Sequence, residues 1–276
     1  MGLLTVLGVA RRGFFIPYRH AGLVPGTLPA YRPFEFLFAA AEPEFRRLLA
    51  AMEAFSAALE AIGGGPPPAP RWTQGWFARL DGAACYVIVR TRRPRRIVEV
   101  GSGHSTRFLA RAVADEGIDA EITAIDPQPR ADIAGLPVRC IRTTVQEAGL
   151  TPFAALASGD ILFVDSSHIA VPGSDVDMVF NRVLPALPAG VLVHIHDVCL
   201  PDDYFPDWRW RGYNEQQAVA ALLGGGGFQP LFASHYVATR MAGLVADSVA
   251  GRLPLLAGAV ETSLWLTKTA APIGPL

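Results

Sequence analysis

From Arg71 onward, short runs of β-branched and aliphatic residues alternate with longer amphipathic stretches, the rhythm of a parallel sheet covered by helices. The pattern predicts strands over 96–100, 121–125, 138–141, 161–164 and 191–195. Helical text falls between them, over 74–89, 107–113, 152–157, 177–184 and 215–223. Two late apolar segments, 231–236 and 263–267, are expected to pair as final antiparallel strands, giving seven in all. Ahead of this region, Phe45, Leu48, Leu49, Met52, Phe55 and Leu59 recur at three- and four-residue steps, predicting an amphipathic helix over 42–62. Its apolar stripe is expected to pack on the main domain or on a second copy of the chain. Residues 63–70, Gly-Gly-Gly-Pro-Pro-Pro-Ala-Pro, read as a linker, flexible and then stiff. The expected organisation is an N-terminal extension over 1–70 and an α/β domain over 71–276.

The most informative stretch is Arg-Ile-Val-Glu-Val-Gly-Ser-Gly-His-Ser-Thr, 96–106. A strand runs into a glycine loop and then into helix-forming residues, which is how an open parallel sheet builds a nucleotide site. Gly101 and Gly103 permit a tight turn and close approach of a ligand, and Ser102 and Ser105 sit among the free N–H groups of the turn and helix start. A dinucleotide fingerprint wants a third small residue where this chain has Thr106. The strand also carries Glu99, which would repel a diphosphate and suits a ligand bearing an ammonium group. Asp126 ends the second strand 25 residues past Gly101, the spacing at which an acid takes ribose hydroxyls. Gln146, beyond the third strand, is placed at the edge of an adenine pocket.

Further acids gather at the same edge of the sheet. Asp165 follows the fourth strand, and His196 and Asp197 follow the fifth. One imidazole with two carboxylates suits Mn²⁺, Fe²⁺, Zn²⁺ or, less naturally, Mg²⁺. His168, three residues past Asp165, is placed to act as a general base or to add a ligand. His194 shares a strand face with His196, and its plainer reading is a core histidine. Residues 201–213, with Tyr204, Phe205, Trp208 and Trp210, read as a lid over the cleft or as a surface hairpin packed by its own aromatics. No Gly-x-Ser-x-Gly elbow surrounds Ser166 or Ser167, which disfavours a serine hydrolase.

Glu-Val-Gly-Ser-Gly-His-Ser-Thr, Phe-Val-Asp-Ser-Ser-His, His-Ile-His-Asp-Val and Tyr213-Asn214-Glu215-Gln216 together resemble the class I S-adenosylmethionine (SAM)-dependent methyltransferases of the methyltransferase 24 type. The resemblance covers roughly residues 72–240. It implies a Rossmann-like fold with a seven-stranded, mostly parallel sheet and helices on both faces. It also implies SAM as cofactor, a hydroxylated small molecule such as a sugar as acceptor, Asp165, His196 and Asp197 in the metal places, and His168 as base. At 196 this chain carries His where those relatives carry a carboxylate or an amide. The alternatives from other classes are a non-catalytic SAM-binding scaffold and a metal-independent N- or C-methyltransferase.

Composition narrows the partners. Of 276 residues 51% are hydrophobic and 18% charged, and the net charge is −1, so no global field favours nucleic acid or an anionic membrane. Five arginines within 90–96 are read as a solvated turn at the far end of the first strand rather than a phosphate patch. Three separated cysteines, of which Cys140 and Cys199 are expected to be buried, argue against a disulfide framework and for a cytoplasmic setting. Arg11-Arg12-Gly13-Phe14-Phe15 resembles a twin-arginine export signal only faintly, because Pro17 and charged residues interrupt any apolar region.

Overall fold

The strands at the centre of the sheet form as largely aliphatic runs buried on both faces, while the edge strand over 139–141 is mostly exposed. The strands are β1 (Arg96–Val100), β2 (Glu121–Ile125), β3 (Arg139–Ile141), β4 (Ile161–Val164), β5 (Leu192–Ile195), β6 (Phe228–Ala233) and β7 (Leu264–Lys268). In this computed structural model, which describes residues 2–10 and 17–276, they form one sheet in the order β3-β2-β1-β4-β5-β7-β6. β1 to β5 run parallel, and β7 lies antiparallel to both β5 and β6. This is the Rossmann-like, mostly parallel seven-stranded arrangement that the resemblance implies. The chain runs outward from β1 to β3 and then restarts at β4 on the other side of β1. That reversal opens a crevice at the carboxyl ends of β1 and β4. The stretch Arg11–Ile16, with its twin arginines, lies outside the described residues.

Register sets the neighbours across that crevice. Val100 pairs with both Ile125 and Val164, and Val164 pairs with Ile195. The next residues, Gly101, Asp126, Asp165 and His196, therefore leave the sheet side by side. The arginine-rich turn lies at the opposite edge, where Arg90 and Arg93 pair with Glu116 and Arg96 faces Asp160.

Four expectations need correction. The N-terminal helix spans Arg32–Ala54, starting well before 42, because Pro33 suits a first helical turn and Phe38 adds to the apolar stripe. β6 starts at Phe228 and stops at Ala233, and Ser234–Arg240 turns into a helix after a bulge at Pro230 and Phe232. The text at 152–157 yields only a 3₁₀ turn, Thr151–Phe153, confined between Gly149 and Gly159. Cys140 is exposed, since β3 is a short edge strand, whereas Cys85 and Cys199 are buried; all three are free thiols.

The Arg32–Ala54 helix covers the antiparallel edge of the sheet. Phe45 meets Phe232 with ring centroids 5.9 Å apart, and Phe38 meets Tyr236 at 5.6 Å. Phe38, Phe45 and Met52 have no exposed surface and join the same hydrophobic core as the sheet. No helix among the described residues is long and apolar enough to cross a membrane.

Candidate functional site

The loop after β1 is shaped by one close approach. Gly101 adopts φ +83°, and a Cβ there would fall 1.8 Å from the carbonyl oxygen of Asp165. Only glycine fits, which lets the ends of β1 and β4 meet. Asp126 ties this loop to β2. The backbone N–H of Ser102 donates to it at 2.7 Å, its hydroxyl at 3.0 Å, and the N–H of Gln128 at 2.7 Å. Carboxylate oxygens each accept more than one hydrogen bond, so Asp126 keeps capacity for ribose hydroxyls. The Gln128 contact is also the turn-starting role open to any Asp before Pro.

A cavity of about 830 Å³ opens above this loop, within the usual range for a small-molecule site. Gly101, Ser102, Gly103, Ser105, Asp126 and Gln146 all line it. Gln146 stands at its rim and donates to the carbonyl of Gly173. His104 also lines it, a residue that sequence reasoning left without a role; burial beside Arg107 and Arg71 pushes its pKa down to about 4, so it is neutral at pH 7.

Glu99 departs from expectation. It is fully buried, lies outside that lining, and accepts from the hydroxyls of Ser105 and Thr106 at 2.6 Å each. Thr106 in turn accepts from the N–H of Gly103 at 2.8 Å. The acid braces the loop from behind instead of facing a ligand. With no cation beside it, burial raises its pKa to about 8, against the pull of the two hydroxyls.

A denser group stands at the ends of β4 and β5. His168 Nε2 lies 3.4 Å from Asp165 Oδ1 and 3.4 Å from Asp197 Oδ2. His196 Nδ1 lies 3.5 Å from Asp165 Oδ1 and 3.4 Å from Asp197 Oδ1. Three residues absent from the sequence-derived set support them. Glu215 accepts from His168 Nδ1–H at 2.8 Å, fixing the ring so that Nε2 faces the two aspartates. Asp81, fully buried in the Arg79–Arg92 helix, approaches His196 Nε2 at 3.5 Å and accepts the N–H groups of Thr262 and Ser263. The Thr262 hydroxyl donates to Asp197 at 3.1 Å. A single acid amid the apolar run 80–89 was the one available signal for Asp81.

The backbone is strained where these groups converge. His168 (φ +60°) and Asp197 (φ +55°) are two of the three non-glycine residues with positive φ among the described residues. The helix Glu215–Gly224 helps hold the first, since the N–H groups of Asn214 and Glu215 donate to the His168 carbonyl.

Electrostatics follows from the pairing. Burial opposes the charged imidazolium, yet Asp165, Asp197 and Glu215 raise the pKa of His168 well above its ordinary value. His196 rises well above it too, against the same burial, through Asp165, Asp197 and Asp81. Asp165 falls well below the carboxylate range, since the imidazoles outweigh its own loss of water. His194 behaves oppositely. It stacks on Phe163 at 3.7 Å, bonds the Ser263 hydroxyl and is held neutral by burial, a core histidine.

A smaller space of about 30 Å³, enough for a water or a functional group, is lined by Asp165, His196 and Asp197 below and by Trp76, Arg130, Trp208 and Arg211 around its mouth. Asp165, Trp76 and Arg130 line both spaces, so the two adjoin. His168 lines neither: it is almost fully buried behind the two aspartates. Among the described residues no group of three or more His, Cys, Asp or Glu stands ready-made around a common point for a metal ion, so the expected set of Asp165, His196 and Asp197 is not a preassembled cage. The 201–213 segment forms a 3₁₀ helix, Pro206–Arg211, rather than a hairpin; Trp208 turns toward the small cavity, while Trp210 is exposed.

Residues 98–198 match the family described as "Methyltransferase domain", methyltransferase 24. No curated relative matches the chain. Similar solved structures include the methyltransferase PaMTH1 of Podospora anserina bound to S-adenosylhomocysteine (SAH), with 16% identity over 94% of this chain and 100% of that one and a TM-score of 0.45. The O-methyltransferase TomG of Streptomyces achromogenes, involved in tomaymycin synthesis and in complex with SAM, shows 17% identity over 81% and 89%, with a TM-score of 0.42. CmcI with Mg and SAM shows 17% identity over 67% and 69%, with a TM-score of 0.38. The segment that matches the methyltransferase domain family carries the glycine loop, the crevice and the ends of β4 and β5.

Proposed function

We propose that the chain transfers the methyl group of SAM to a hydroxyl of a small molecule, and that the imidazole–carboxylate group at the ends of β4 and β5 takes the hydroxyl proton. The observation that carries this reading is the position of Asp165, which lines both the cofactor-sized cavity and the small space beside it, with two imidazole nitrogens within 3.5 Å. In the transfer, the acceptor oxygen attacks the methyl carbon, the C–S bond breaks, and SAH leaves with both electrons of that bond. The protein's tasks are to align the oxygen and to receive its proton. Asp165 and Asp197 accept and orient the hydroxyl from below. His168, held by Glu215 behind them, receives the proton by way of Asp165, 3.4 Å from its Nε2. Its raised pKa keeps it protonated while the three carboxylates have no other cation. A sulfonium bound in the adjoining cavity, which Asp165 also lines, would oppose the imidazolium and shift His168 toward neutrality. His196, which faces the small cavity directly, is the second imidazole available for the same task.

The donor set also suits a divalent cation. One nitrogen of His196 with the carboxylates of Asp165 and Asp197 is a combination that Mn²⁺, Fe²⁺, Zn²⁺ or Mg²⁺ accepts. Bound there, such an ion would lower the pKa of the acceptor hydroxyl.

Methyl transfer from SAM to hydroxylated acceptors, compared between wild type and His168→Ala, tests the assignment. Turnover is expected to fall about 10²–10⁴-fold, the scale of general-base catalysis, while SAH affinity holds. A full rate in His168→Ala with loss in His196→Ala moves the role to His196. A full rate after exhaustive chelation removes the metal from the account.

A further inference from the structure

The acceptor side of the cleft has two layers of different character. Its floor holds the carboxylates of Asp165 and Asp197 paired with the imidazole of His196. Its mouth is cationic and aromatic. Arg130 stacks over the Trp76 ring at 4.4 Å, and Arg211 stacks over the Trp208 ring at 4.5 Å. Arg211 also lies 5.3 Å from the Tyr213 ring.

Both guanidinium groups lack a strong anionic partner. Among the described residues, the carboxylate nearest Arg211 is that of Asp197, at 3.9 Å and beyond hydrogen-bond reach; Arg211 Nη1 donates to the Tyr213 hydroxyl at 3.4 Å, and its buried Nε–H has no acceptor. Arg130 makes no ion pair among the described residues, and its guanidinium stacks on Trp76. Arginine combines a planar face that stacks on aromatic rings with a fork that matches carboxylate geometry. A buried N–H without a partner is costly, which favours a ligand that satisfies it. Arg130 borders the cofactor cavity as well, whereas Arg211 borders only the small one. An anion on the acceptor therefore falls to Arg211.

We infer that the acceptor is a planar hydroxylated compound carrying an anionic group, its ring at the Trp76 and Trp208 indoles, its anion on Arg211 and its reacting hydroxyl toward Asp165. The inference rests on the methyltransferase reading and deepens it. The donors and acceptors fix the orientation: the carboxylates of the floor accept a hydroxyl, and the unsatisfied guanidinium N–H of Arg211 at the mouth takes the anion. Only a functional group fits within about 30 Å³, so the body of the acceptor lies at the mouth.

The test is titration of the SAH-saturated enzyme, by calorimetry and tryptophan fluorescence, with 3,4-dihydroxybenzoate, its methyl ester and quinate. The ester removes the charge while keeping the ring, and quinate keeps the charge without the planar ring. Dihydroxybenzoate is expected to bind about tenfold or more tighter than either, the effect of a charge-assisted hydrogen bond. Arg211→Gln is expected to erase the difference between acid and ester, and Arg211→Lys to retain part of it. Equal binding of acid and ester overturns the anion, and equal binding of quinate overturns the ring. Saturation by SAH with no binding of any probe overturns the inference and leaves the methyltransferase reading standing. Failure to bind SAH at all overturns both.

Discussion

The crevice has two sides built on different plans. On the β1–β2 side, the glycine loop and Asp126 form one wall of the cofactor-sized cavity, whose facing wall is the segment 165–175 after β4. On the β4–β5 side, imidazoles and carboxylates are packed together and largely buried, and they satisfy one another. Two buried acids show what the difference means. Glu99, on the first side, has only hydroxyl partners and is driven toward its neutral form. Asp165, on the second, stands between two imidazoles and stays ionised. Burial alone does not set the charge of a carboxyl group; its neighbours do. One side is a mould for a ligand, and the other is a reservoir of charge.

The sides touch at Gly101, so a substitution there should break the contrast most severely. Its Cβ would overlap the Asp165 carbonyl, which is backbone and has nowhere to go. Gly101→Ala is expected to cost about 2–4 kcal/mol of stability through overpacking and the left-handed φ, and to weaken SAH binding as well. Urea unfolding and SAH titration of this variant check both effects. Wild-type values in both would mean that the two strand ends are not in contact as described.

How far each side was legible in the sequence follows from the same contrast. The glycine loop is local: Gly101, Ser102 and Gly103 lie within three positions of one another, and the strand and helix around them could be read from period and residue type. Asp126, Asp165, His196 and Asp197 could be placed because strands of a parallel sheet end at a common edge. What stayed hidden is what the sheet edge does not fix. Along the sequence Glu99 reads as a ligand-facing acid, because its partners, Ser105 and Thr106, become neighbours only once the helix folds back over the strand. Asp81 and Glu215 reach the site from helices more than 40 residues from the histidines they support in one case and over 100 in the other. No spacing rule connects such pairs. The N-terminal helix is legible in the sequence but its start is not, since an apolar stripe does not mark where the first turn begins.

A smaller effect sharpens the comparison on the cofactor side. The folded-state pKa of Glu99 is raised to about 8 by burial, above the ordinary value of 4.5 expected when unfolded. The folded protein therefore binds the extra proton between those values, and stability falls as pH rises through that window. Between pH 7 and pH 9 this single group is expected to remove about 1 kcal/mol. Glu99→Gln has no such proton to lose. Urea unfolding at both pH values should show the wild type losing more than the variant, and equal losses would place Glu99 in contact with a cation.

The central claim is that cofactor binding belongs to the β1–β2 side and proton handling to the β4–β5 side, and SAH calorimetry on two variants tests it most directly. Asp126→Ala is expected to weaken SAH by about 1–3 kcal/mol, the loss of a charged acceptor for hydroxyl groups, while His168→Ala leaves the affinity at the wild-type value and NAD fails to bind any of the three proteins. Unchanged SAH affinity in Asp126→Ala with a collapse in His168→Ala, or tight NAD binding in place of SAH, would contradict it.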